Sequence, residues 1–307
     1  MYKPQVVITH WPCSDGATSA GIISHYYEDS AIEFVKGDYA NKDIDFYIEA
    51  VRGKDVFMAD FSFKHNQMNA IISAAKSIVV LDHHVTAMNE LQPFIDENIG
   101  HQDISTIDEA LNNTKAVIMF DMERSGAMMT WDFFHPGKQY TPFVSMIGMI
   151  DLGDKNFDHA EEFMWFSRSI PLTAEAHAVY IDNKDVGSMF EQGLAIWKFV
   201  KNRMEVLQEQ SREGNMEGLS FKWVITDYLF ASEMANSFVK EGYDMGVVIY
   251  FGKDTVGISL RSREGIDVSQ IAASMGGGGH KQAAGVNIPF SDIPELLEAV
   301  KPYGITF

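Results

Sequence analysis

Disulfide bonds are the first feature that the sequence excludes. The chain has 307 residues and a single cysteine, Cys13, so no internal pair can form. Such scarcity is typical of proteins from a reducing compartment. No apolar run approaches the roughly 20 residues of a membrane span, and residues 1–5 show no signal-peptide pattern. We therefore expect a cytoplasmic protein that has no membrane partner.

Positive charge is also scarce. Lysine and arginine number 24 against 43 acidic residues, which gives a formal net charge of −19. Proteins that bind long nucleic acids neutralise many phosphates with lysine and arginine. The chain is therefore not expected to bind a long duplex. A small anionic substrate is still compatible with this charge, because a local metal site can outweigh the overall charge.

The length and the order of the predicted elements indicate an α/β protein of about two domains. Strands alternate with helices in residues 1–185, which predicts a doubly wound, mainly parallel sheet. Residues 186–217 are predicted to be a connecting helix and linker, and residues 218–307 a smaller α/β domain. The helix, over 186–210, has a stripe of methionine and aromatic residues that is typical of a core or a subunit interface and allows a homodimer. The segment 212–218 is rich in turn residues and is expected to mark the domain boundary.

One stretch organises the first domain. Residues 77–84 read Ser-Ile-Val-Val-Leu-Asp-His-His, an apolar run that ends in Asp82, His83 and His84. Such a short, β-branched run is typical of a buried parallel strand. Open α/β sheets bind ligands at the carboxyl ends of their strands. The alternative is that one histidine only caps the strand while the other faces solvent.

Two other predicted strands end in the same way. The strand at 5–10 ends at His10 and is followed by Asp15 at a helix start, and the strand at 55–60 ends at Asp60. Asp and His are common at strand ends, but right-handed crossovers would bring these three ends to one edge of the sheet. Mixed imidazole and carboxylate ligands suit Mn²⁺, Fe²⁺ or Zn²⁺ better than Ca²⁺.

These segments resemble the motifs of the DHH phosphoesterase family. The motifs are Thr-His-x-x-Cys-x-Asp-Gly at 9–16, Ala-Asp at 59–60, Asp-His-His at 82–84, Arg-Ser-Gly-Ala at 124–127 and Ile-Asp-Leu-Gly-Asp at 150–154. The family includes RecJ-type exonucleases, nano-RNases, cyclic-dinucleotide phosphodiesterases, exopolyphosphatases and family II pyrophosphatases. The resemblance covers most of the chain.

The resemblance implies two divalent metal ions and a role for each motif residue. The implied ligands are His10 and Cys13 on one ion, Asp15 and His83 on the other, Asp60 between the two, and Asp151 completing the site. His84 would face the substrate phosphate, and Asp82 would orient an imidazole, so that His84, Asp82 and Asp60 are the predicted catalytic residues. Asp154 competes with Asp151, because the fourth motif matches least closely.

Cys13 departs from the Asp-x-Asp-Gly pattern of most of the family, although a subset carries cysteine there. Mn²⁺ is the expected metal, and a thiolate ligand would favour Zn²⁺ or Fe²⁺ instead. A neutral thiol would leave one ion weakly held. The alternative is that Cys13 is a small buried residue without a metal contact.

The second domain contains a glycine-rich run, Gly-Gly-Gly-Gly-His-Lys-Gln-Ala-Ala-Gly at 276–285. Successive glycines let the backbone approach an anion closely. Together with Ser-Leu-Arg-Ser at 259–262, this run resembles the DHHA1 domain of the nuclease-like branch. The resemblance implies substrate binding across a cleft from the metals by four residues, Arg261, Gly278, Gly279 and His280.

The resemblance thus implies a metal-dependent phosphodiesterase that hydrolyses short oligonucleotides or dinucleotides to mononucleotides with metal-activated hydroxide. One alternative is a phosphatase that acts on a small phosphorylated metabolite or on polyphosphate. The other is a nucleotide-binding protein in which Cys13 has weakened the metal site.

Overall fold

The computed structural model describes residues 2–28, 31–39, 43–95, 103–154 and 156–294. The chain divides into two compact units, Met1–Trp197 and Lys198–Phe307. The division falls within the segment predicted to connect the domains. Within the described ranges, no helix combines the length and the apolar character that a bilayer crossing requires.

The first unit is built on a parallel sheet. In its described part, five strands lie in the order β2-β1-β3-β4-β5, and every neighbouring pair is parallel. This confirms the predicted α/β class. The strands are β1 (Val6–His10), β2 (Glu33–Gly37), β3 (Asp55–Ala59), β4 (Ser77–Asp82) and β5 (Ala116–Phe120).

Helices cover both faces of this sheet, as in a doubly wound fold. Side chains of α2, α3 and α4, such as Tyr47 and Met68, pack on one face with Val56. Side chains of α1 and of α6 to α9, such as Phe143, pack on the other face with Phe57. The helices are α1 (Ser14–Tyr27), α2 (Ile44–Val51), α3 (His65–Ala74), α4 (Val85–Phe94), α5 (Ile107–Ala110), α6 (Gly126–Phe134), α7 (Pro142–Asp151), α8 (Ala160–Ser169) and α9 (Ala174–Ile181).

The strand order reverses at β1. The chain goes from β1 to β2 on one side and then returns to β3 on the other side. Such a reversal opens a crevice at the carboxyl ends of the two inner strands, which is the usual ligand site of open α/β sheets. The carboxyl ends of β1 and β3 carry His10 and Asp60, so the sheet topology places these two predicted site residues together.

The long helix α10 (Val186–Glu209) contains the division between the units, and the second unit follows with a mixed sheet. Its strand order is β10-β11-β9-β8-β7-β6, and only the β7–β8 pair is parallel. Two helices lie between the strands of this unit. The elements are β6 (Arg212–Met216), β7 (Leu219–Ile225), α11 (Ala231–Lys240), β8 (Met245–Phe251), β9 (Thr255–Ser262), α12 (Val268–Ser274), β10 (Gly278–His280) and β11 (Ala283–Pro289).

Most of the segment 212–218, which is rich in turn residues, forms a strand. Residues 212–216 form the edge strand β6, which pairs antiparallel with β7. Only Glu217 and Gly218 turn, at φ 53° and φ 89°, as in a two-residue hairpin. The sequence did not indicate this strand, because an exposed edge strand needs no alternation of apolar residues and commonly carries charged side chains.

Candidate metal centre

Asp60 is the residue around which the site is arranged. It follows β3 directly, its side chain is 1% exposed, and its backbone has φ 58°. A left-handed conformation is unfavourable for a non-glycine residue and is often found at functional sites. The Asp60 N–H donates to the Leu81 carbonyl at 2.9 Å, which fixes the turn beside β4. The carboxylate is thereby held at the carboxyl edge of the sheet.

Three imidazoles approach the Asp60 carboxylate. His83 Nε2 lies 3.0 Å from Asp60 Oδ1, His84 Nδ1 lies 3.9 Å from the same oxygen, and His10 Nδ1 lies 3.6 Å from Oδ2. The ligand atoms of His10, Asp60 and His84 lie within 4.8 Å of one another, and so do those of Asp15, Asp60 and His83. Because the two groups share Asp60, its carboxylate would lie between two ions if each group held one.

Unpartnered polar atoms support a metal in the first group. Among the described residues, buried His10 Nδ1 and Asp60 Oδ2 have no hydrogen-bond partner. They lie 3.6 Å apart, which is too long for a hydrogen bond. A buried polar atom without a partner is costly. Imidazole nitrogen and carboxylate oxygen are also first-row metal ligands. An ion between these two atoms would satisfy both of them, so the residues present fit the implied metal.

Asp15 is held by the first turn of α6. Its carboxylate is 1% exposed and accepts from the Ala127 N–H at 3.2 Å to each oxygen. A Cβ on Gly126 would lie 2.4 Å from the Asp60 Cβ and 2.9 Å from Asp15 Oδ2. Only glycine therefore lets the start of α6 lie against both acids. The resemblance assigned no role to the motif at 124–127. In the structure, this motif forms the side of the site that contacts Asp15 and Asp60.

Desolvation and the charges of neighbouring carboxylates raise two pKa values in the site. Burial and then the charges of Asp60 and Asp151 raise the pKa of Asp15 well above its usual value. Burial and then the charge of Asp60 raise the pKa of Asp151. Carboxylates that repel one another in a dry site stabilise a cation between them. The electrostatics thus favour a divalent ion at the same place as the geometry.

Of the three imidazoles beside Asp60, that of His83 lies closest to the carboxylate. Burial disfavours the charged imidazole, but the hydrogen bond with Asp60 and the nearby carboxylates raise the pKa of His83 to about 9. Burial likewise disfavours the Asp60 carboxylate, yet the imidazoles of His83 and His10 lower the pKa of Asp60. Metal binding requires a neutral imidazole, so an ion at this site would displace a proton from His83.

Asp82 contacts His84 rather than the acidic cluster. Its Oδ1 lies 2.7 Å from His84 Nδ1 and accepts the backbone N–H groups of His83 and His84 at 2.7 and 3.2 Å. Its Oδ2 accepts from the Ser62 hydroxyl at 2.7 Å. The hydrogen bond to Asp82 raises the pKa of His84 against the effect of burial. This geometry suits the predicted role of Asp82 in orienting an imidazole, and Ser62 is a partner that the sequence did not reveal.

Of the two acids in the fourth motif, only Asp151 reaches the cluster. Asp151 Oδ2 lies 3.2 Å from His83 Nε2, at the end of α7. Asp154 instead accepts from the Asn156 N–H at 2.9 Å, which is a local turn contact. The structure therefore separates two residues that the sequence left in competition.

Cys13 is not among the candidate ligand groups of the described residues. It is the residue before α1 and caps no backbone N–H with its side chain. Burial and then the charges of Asp60 and Asp15 raise the pKa of its thiol well above the usual value. A neutral thiol is a poor ligand, so the proposed contact of Cys13 with a metal stays a prediction.

Tyr39 is a neighbour of the site that sequence reasoning missed. Its ring lies 5.2 Å from the His10 ring and 4.6 Å from the Phe61 ring, yet the residue is 48% exposed. Burial and the charge of Asp82 raise the pKa of its phenol. Tyr39 lies two residues beyond the end of β2. This position could have indicated a site residue, because the other site residues also follow strand ends.

The predicted substrate residues of the second unit lie on three neighbouring strands. Arg261 on β9 pairs with Ala283 on β11, and Ala283 pairs with His280 on β10. His280, Gly278 and Gly279 are exposed, and Gly279 has φ 141°, a conformation that favours glycine. The pairing register therefore brings Arg261 and His280 into one row across the sheet. Their contact with substrate stays a prediction.

Comparisons with known proteins agree with this architecture. Residues 227–303 match the model of the DHHA1 domain. The uncharacterized protein R106 of Acanthamoeba polyphaga mimivirus is 28% identical over 316 residues, which cover 95% of this chain and 69% of that protein.

Solved structures share the fold at low sequence identity. The exonuclease RecJ bound to manganese matches with a TM-score of 0.57 at 12% identity and covers 99% of this chain and 91% of its own. An exopolyphosphatase-related protein from Bacteroides fragilis matches with a TM-score of 0.52 at 12% identity, covering 98% and 94%. A pGpG-specific phosphodiesterase from Vibrio cholerae matches with a TM-score of 0.50 at 12% identity, covering 96% and 97%.

The chain thus shares its fold with these proteins, and its second unit matches the DHHA1 domain. The residues that resemble the motifs of the DHH phosphoesterases lie around Asp60.

Proposed function

We propose that the chain is a metal-dependent phosphodiesterase that hydrolyses short oligonucleotides or dinucleotides to mononucleotides. The observation that carries this proposal is one buried carboxylate, Asp60, whose two oxygens face different imidazoles, His10 at Oδ2 and His83 at Oδ1. Paired divalent ions clamp the attacking and leaving oxygens of a phosphoryl group in many phosphoester hydrolases.

The chain's own residues would have distinct parts in the reaction. His10, Asp15, Asp60, His83 and Asp151 would hold two ions, with Mn²⁺ as the expected metal. Bound there, the ions would supply hydroxide near neutral pH and neutralise charge on the phosphate. His84 would donate from Nε2 to the phosphate or to the leaving oxygen, because Asp82 engages its Nδ1 and raises its pKa. That arrangement suits a general acid near neutral pH.

The charge of the molecule favours short substrates. A net charge of −19 disfavours the many phosphate contacts that a long strand requires. Arg261 and His280 in the second unit would bind a terminal phosphate, for which a guanidinium is suited. The similarity to a pGpG-specific phosphodiesterase is compatible with such a substrate.

Two other functions have some support. The similarity to an exopolyphosphatase-related protein is compatible with a phosphatase that acts on polyphosphate or a phosphorylated metabolite. The raised pKa of the Cys13 thiol is compatible with a nucleotide-binding protein in which one ion is weakly held. Each of these two functions predicts a pattern of hydrolysis different from that of a phosphodiesterase when one panel of substrates is tested.

The experiment measures hydrolysis of 5′-labelled RNA and DNA of about 2, 5 and 20 nucleotides beside polyphosphate and a phosphomonoester. Each substrate is incubated with Mn²⁺ and with EDTA, for the native chain and for Asp60→Ala. We expect the dimers to be cleaved fastest, only with metal, and not by Asp60→Ala. Release of orthophosphate from polyphosphate or the monoester, with dimers intact, would establish the phosphatase instead. Nucleotide binding without turnover under any metal would establish the binding protein.

A further inference from the structure

Tyr39 presents an exposed aromatic ring at the edge of the metal centre. Its ring centroid lies 5.2 Å from that of His10 and 6.4 Å from that of His84, and the residue is 48% exposed. The two imidazoles meet the Tyr39 ring at interplanar angles of 63° and 78°, so neither of them covers the ring by stacking flat on it. The exposed part of Tyr39 is therefore accessible to a molecule that binds at the metal centre.

The Tyr39 ring packs on a series of aromatic side chains that continues into the core. The first member, Phe61, lies 4.6 Å from the Tyr39 ring and is 1% exposed. Phe61 packs on Phe63 at 5.0 Å, and Phe63 packs on Tyr47 at 4.8 Å. A Cβ on Gly37 would lie 2.7 Å from the Phe61 ring, so this glycine leaves the space that Phe61 occupies. Buried rings thus support Tyr39 from the side of the core.

The backbone that leads to Tyr39 is fixed by the last member of this series. The buried Tyr47 hydroxyl donates to the Lys36 carbonyl at 2.9 Å and accepts from the Asp38 N–H at 3.2 Å. These two hydrogen bonds hold the chain on both sides of Gly37, directly before Tyr39. A ring that is already held in place loses little conformational freedom when a ligand binds to it.

The hydroxyl is the buried end of the Tyr39 side chain. Burial and then the charge of Asp82 raise the pKa of the phenol, and a hydrogen bond with the Ser62 backbone opposes this rise. Because the protein already engages the hydroxyl, the exposed part of the side chain is the ring. Stacking is therefore the contact that Tyr39 offers to a ligand, and nucleobases commonly stack on exposed aromatic rings of this kind.

We propose that Tyr39 stacks on the base of the nucleotide whose phosphate is bound at the metal centre. His84 is the residue that would contact this phosphate, and its ring lies 6.4 Å from that of Tyr39, a separation that the sugar of a nucleotide can span. Stacking tolerates any base, because every base has a π face. The inference rests on the proposed function for the position of the phosphate. It adds a residue that selects nucleotides over polyphosphate and phosphorylated sugars, which carry no base.

The test measures binding to the full chain in the presence of Mn²⁺ by calorimetric titration. The probes are the phosphonate analogues of adenosine 5′-monophosphate and ribose 5-phosphate, in which a CH₂ group replaces the bridging oxygen and prevents hydrolysis. The native chain should bind the adenosine probe about tenfold or more tightly than the sugar probe. Tyr39→Ala should remove this difference and leave the affinity for the sugar probe unchanged, whereas Tyr39→Phe should retain the difference because it keeps the ring.

The matched control is Tyr26→Ala. Tyr26 is also an exposed tyrosine of the first unit, at 38%, and its ring lies edge-on to a histidine, His135, at 5.3 Å. It belongs to the last turn of α1, whereas Asp15 belongs to the first. Tyr26→Ala should therefore change the affinity for neither probe. The affinity for Mn²⁺ is measured in every variant and should equal that of the native chain.

Three results would overturn the inference. They are equal affinity of the native chain for both probes, a difference between the probes that persists in Tyr39→Ala, and a loss of Mn²⁺ affinity in Tyr39→Ala that weakens both probes equally. The last result would show that Tyr39 only covers His10.

The outcome is separable from that of the proposed function. Metal-dependent cleavage of dinucleotides together with an unchanged preference for the adenosine probe in Tyr39→Ala contradicts only the role of Tyr39. Base-dependent binding through Tyr39 without turnover of any dinucleotide contradicts only the phosphodiesterase.

Discussion

Asp60 and Asp82 are both fully buried acids at the end of neighbouring strands, and they differ in what they contact. Asp60 has an oxygen without a hydrogen-bond partner that lies opposite His10. Both oxygens of Asp82 accept hydrogen bonds, from Ser62 and from the segment that carries His84. An acid with an unpartnered oxygen is suited to bind a cation, and an acid with satisfied oxygens is suited to orient a neighbour.

This difference predicts unequal effects of two isosteric substitutions. Asp82→Asn should lower dinucleotide hydrolysis about 10- to 100-fold without loss of bound metal, because the amide disturbs only the orientation of His84. Steady-state kinetics and metal analysis of the purified variant test this. Asp154→Asn is the matched control and should behave as the native chain. Loss of metal in Asp82→Asn would show instead that Asp82 is a ligand.

His177 is a second buried histidine, remote in sequence from the motifs. It is 0% exposed, its Nδ1 pairs with the Thr18 hydroxyl at 2.9 Å, and its Nε2 has no partner. Burial lowers the pKa of His177 from 6.5 to about 4. The unfolded chain therefore binds a proton at pH 5 that the folded chain does not bind.

Acid should thus destabilise the α1–α9 contact. The free energy of unfolding is expected to fall by about 2 kcal/mol between pH 7 and pH 5 through His177. The loss begins near pH 6.5 and is complete below about pH 4. Urea unfolding at both pH values, for the native chain and for His177→Asn, isolates this contribution because other groups titrate in both proteins. If the free energy of unfolding has the same pH dependence in both proteins, the contribution assigned to His177 is contradicted.

The sequence predicted the site residues whose own side chains are typical metal ligands. His10, Asp15, Asp60 and His83 follow strand ends, and the parallel sheet brings them together. It did not separate Asp151 from Asp154, because that choice depends on where α7 ends. Nor did it reveal Ser62, whose only distinction is a contact with Asp82.

At the scale of elements, the start of α6 is the place most sensitive to an increase in side-chain size. Gly126 lies between Asp15 and Asp60, where a Cβ would meet Asp60 atoms at 2.4 and 2.8 Å. Overpacking of this kind costs about 1–3 kcal/mol and would move the helix away from the acids. The Ala127 N–H, which holds Asp15, would move with it.

Gly126→Ala is therefore expected to weaken Mn²⁺ binding about 10-fold or more while the helix content stays unchanged. Calorimetric titration with Mn²⁺ and circular dichroism measure the two properties. Gly187→Ala is the matched control, since a Cβ there meets only Asp185 Oδ1 at 3.7 Å. An unchanged Mn²⁺ affinity in Gly126→Ala would contradict the close approach of α6 to Asp15 and Asp60.

Elements were predictable where apolar residues alternate or run together. Strands β1, β3 and β4 and the helix at 186–209 agree with the predicted segments to within one or two residues. Sequence reasoning assigned neither β5 nor α8 and α9, because short apolar runs do not distinguish strands from buried helices. Strand β6 was missed since its stability comes from pairing with β7, a partner outside its own segment.

At the scale of the whole molecule, the acidic charge is expected to disfavour long nucleic acids. With a net charge of −19, the chain should not bind a duplex of about 20 base pairs at physiological salt. Fluorescence anisotropy at low and high salt measures this, with a labelled dinucleotide as the comparison. Duplex binding with a steep salt dependence would indicate a local cationic surface that outweighs the total charge.

The measurement that tests the shared role of Asp60 most directly is the number of Mn²⁺ ions bound at equilibrium. The native chain and the control Asp154→Asn should each bind two ions and cleave dinucleotides. Asp60→Asn should lose both ions and all detectable cleavage, because both ligand groups contain this carboxylate. Two bound ions in Asp60→Asn, or metal-independent cleavage by the native chain, would contradict the account.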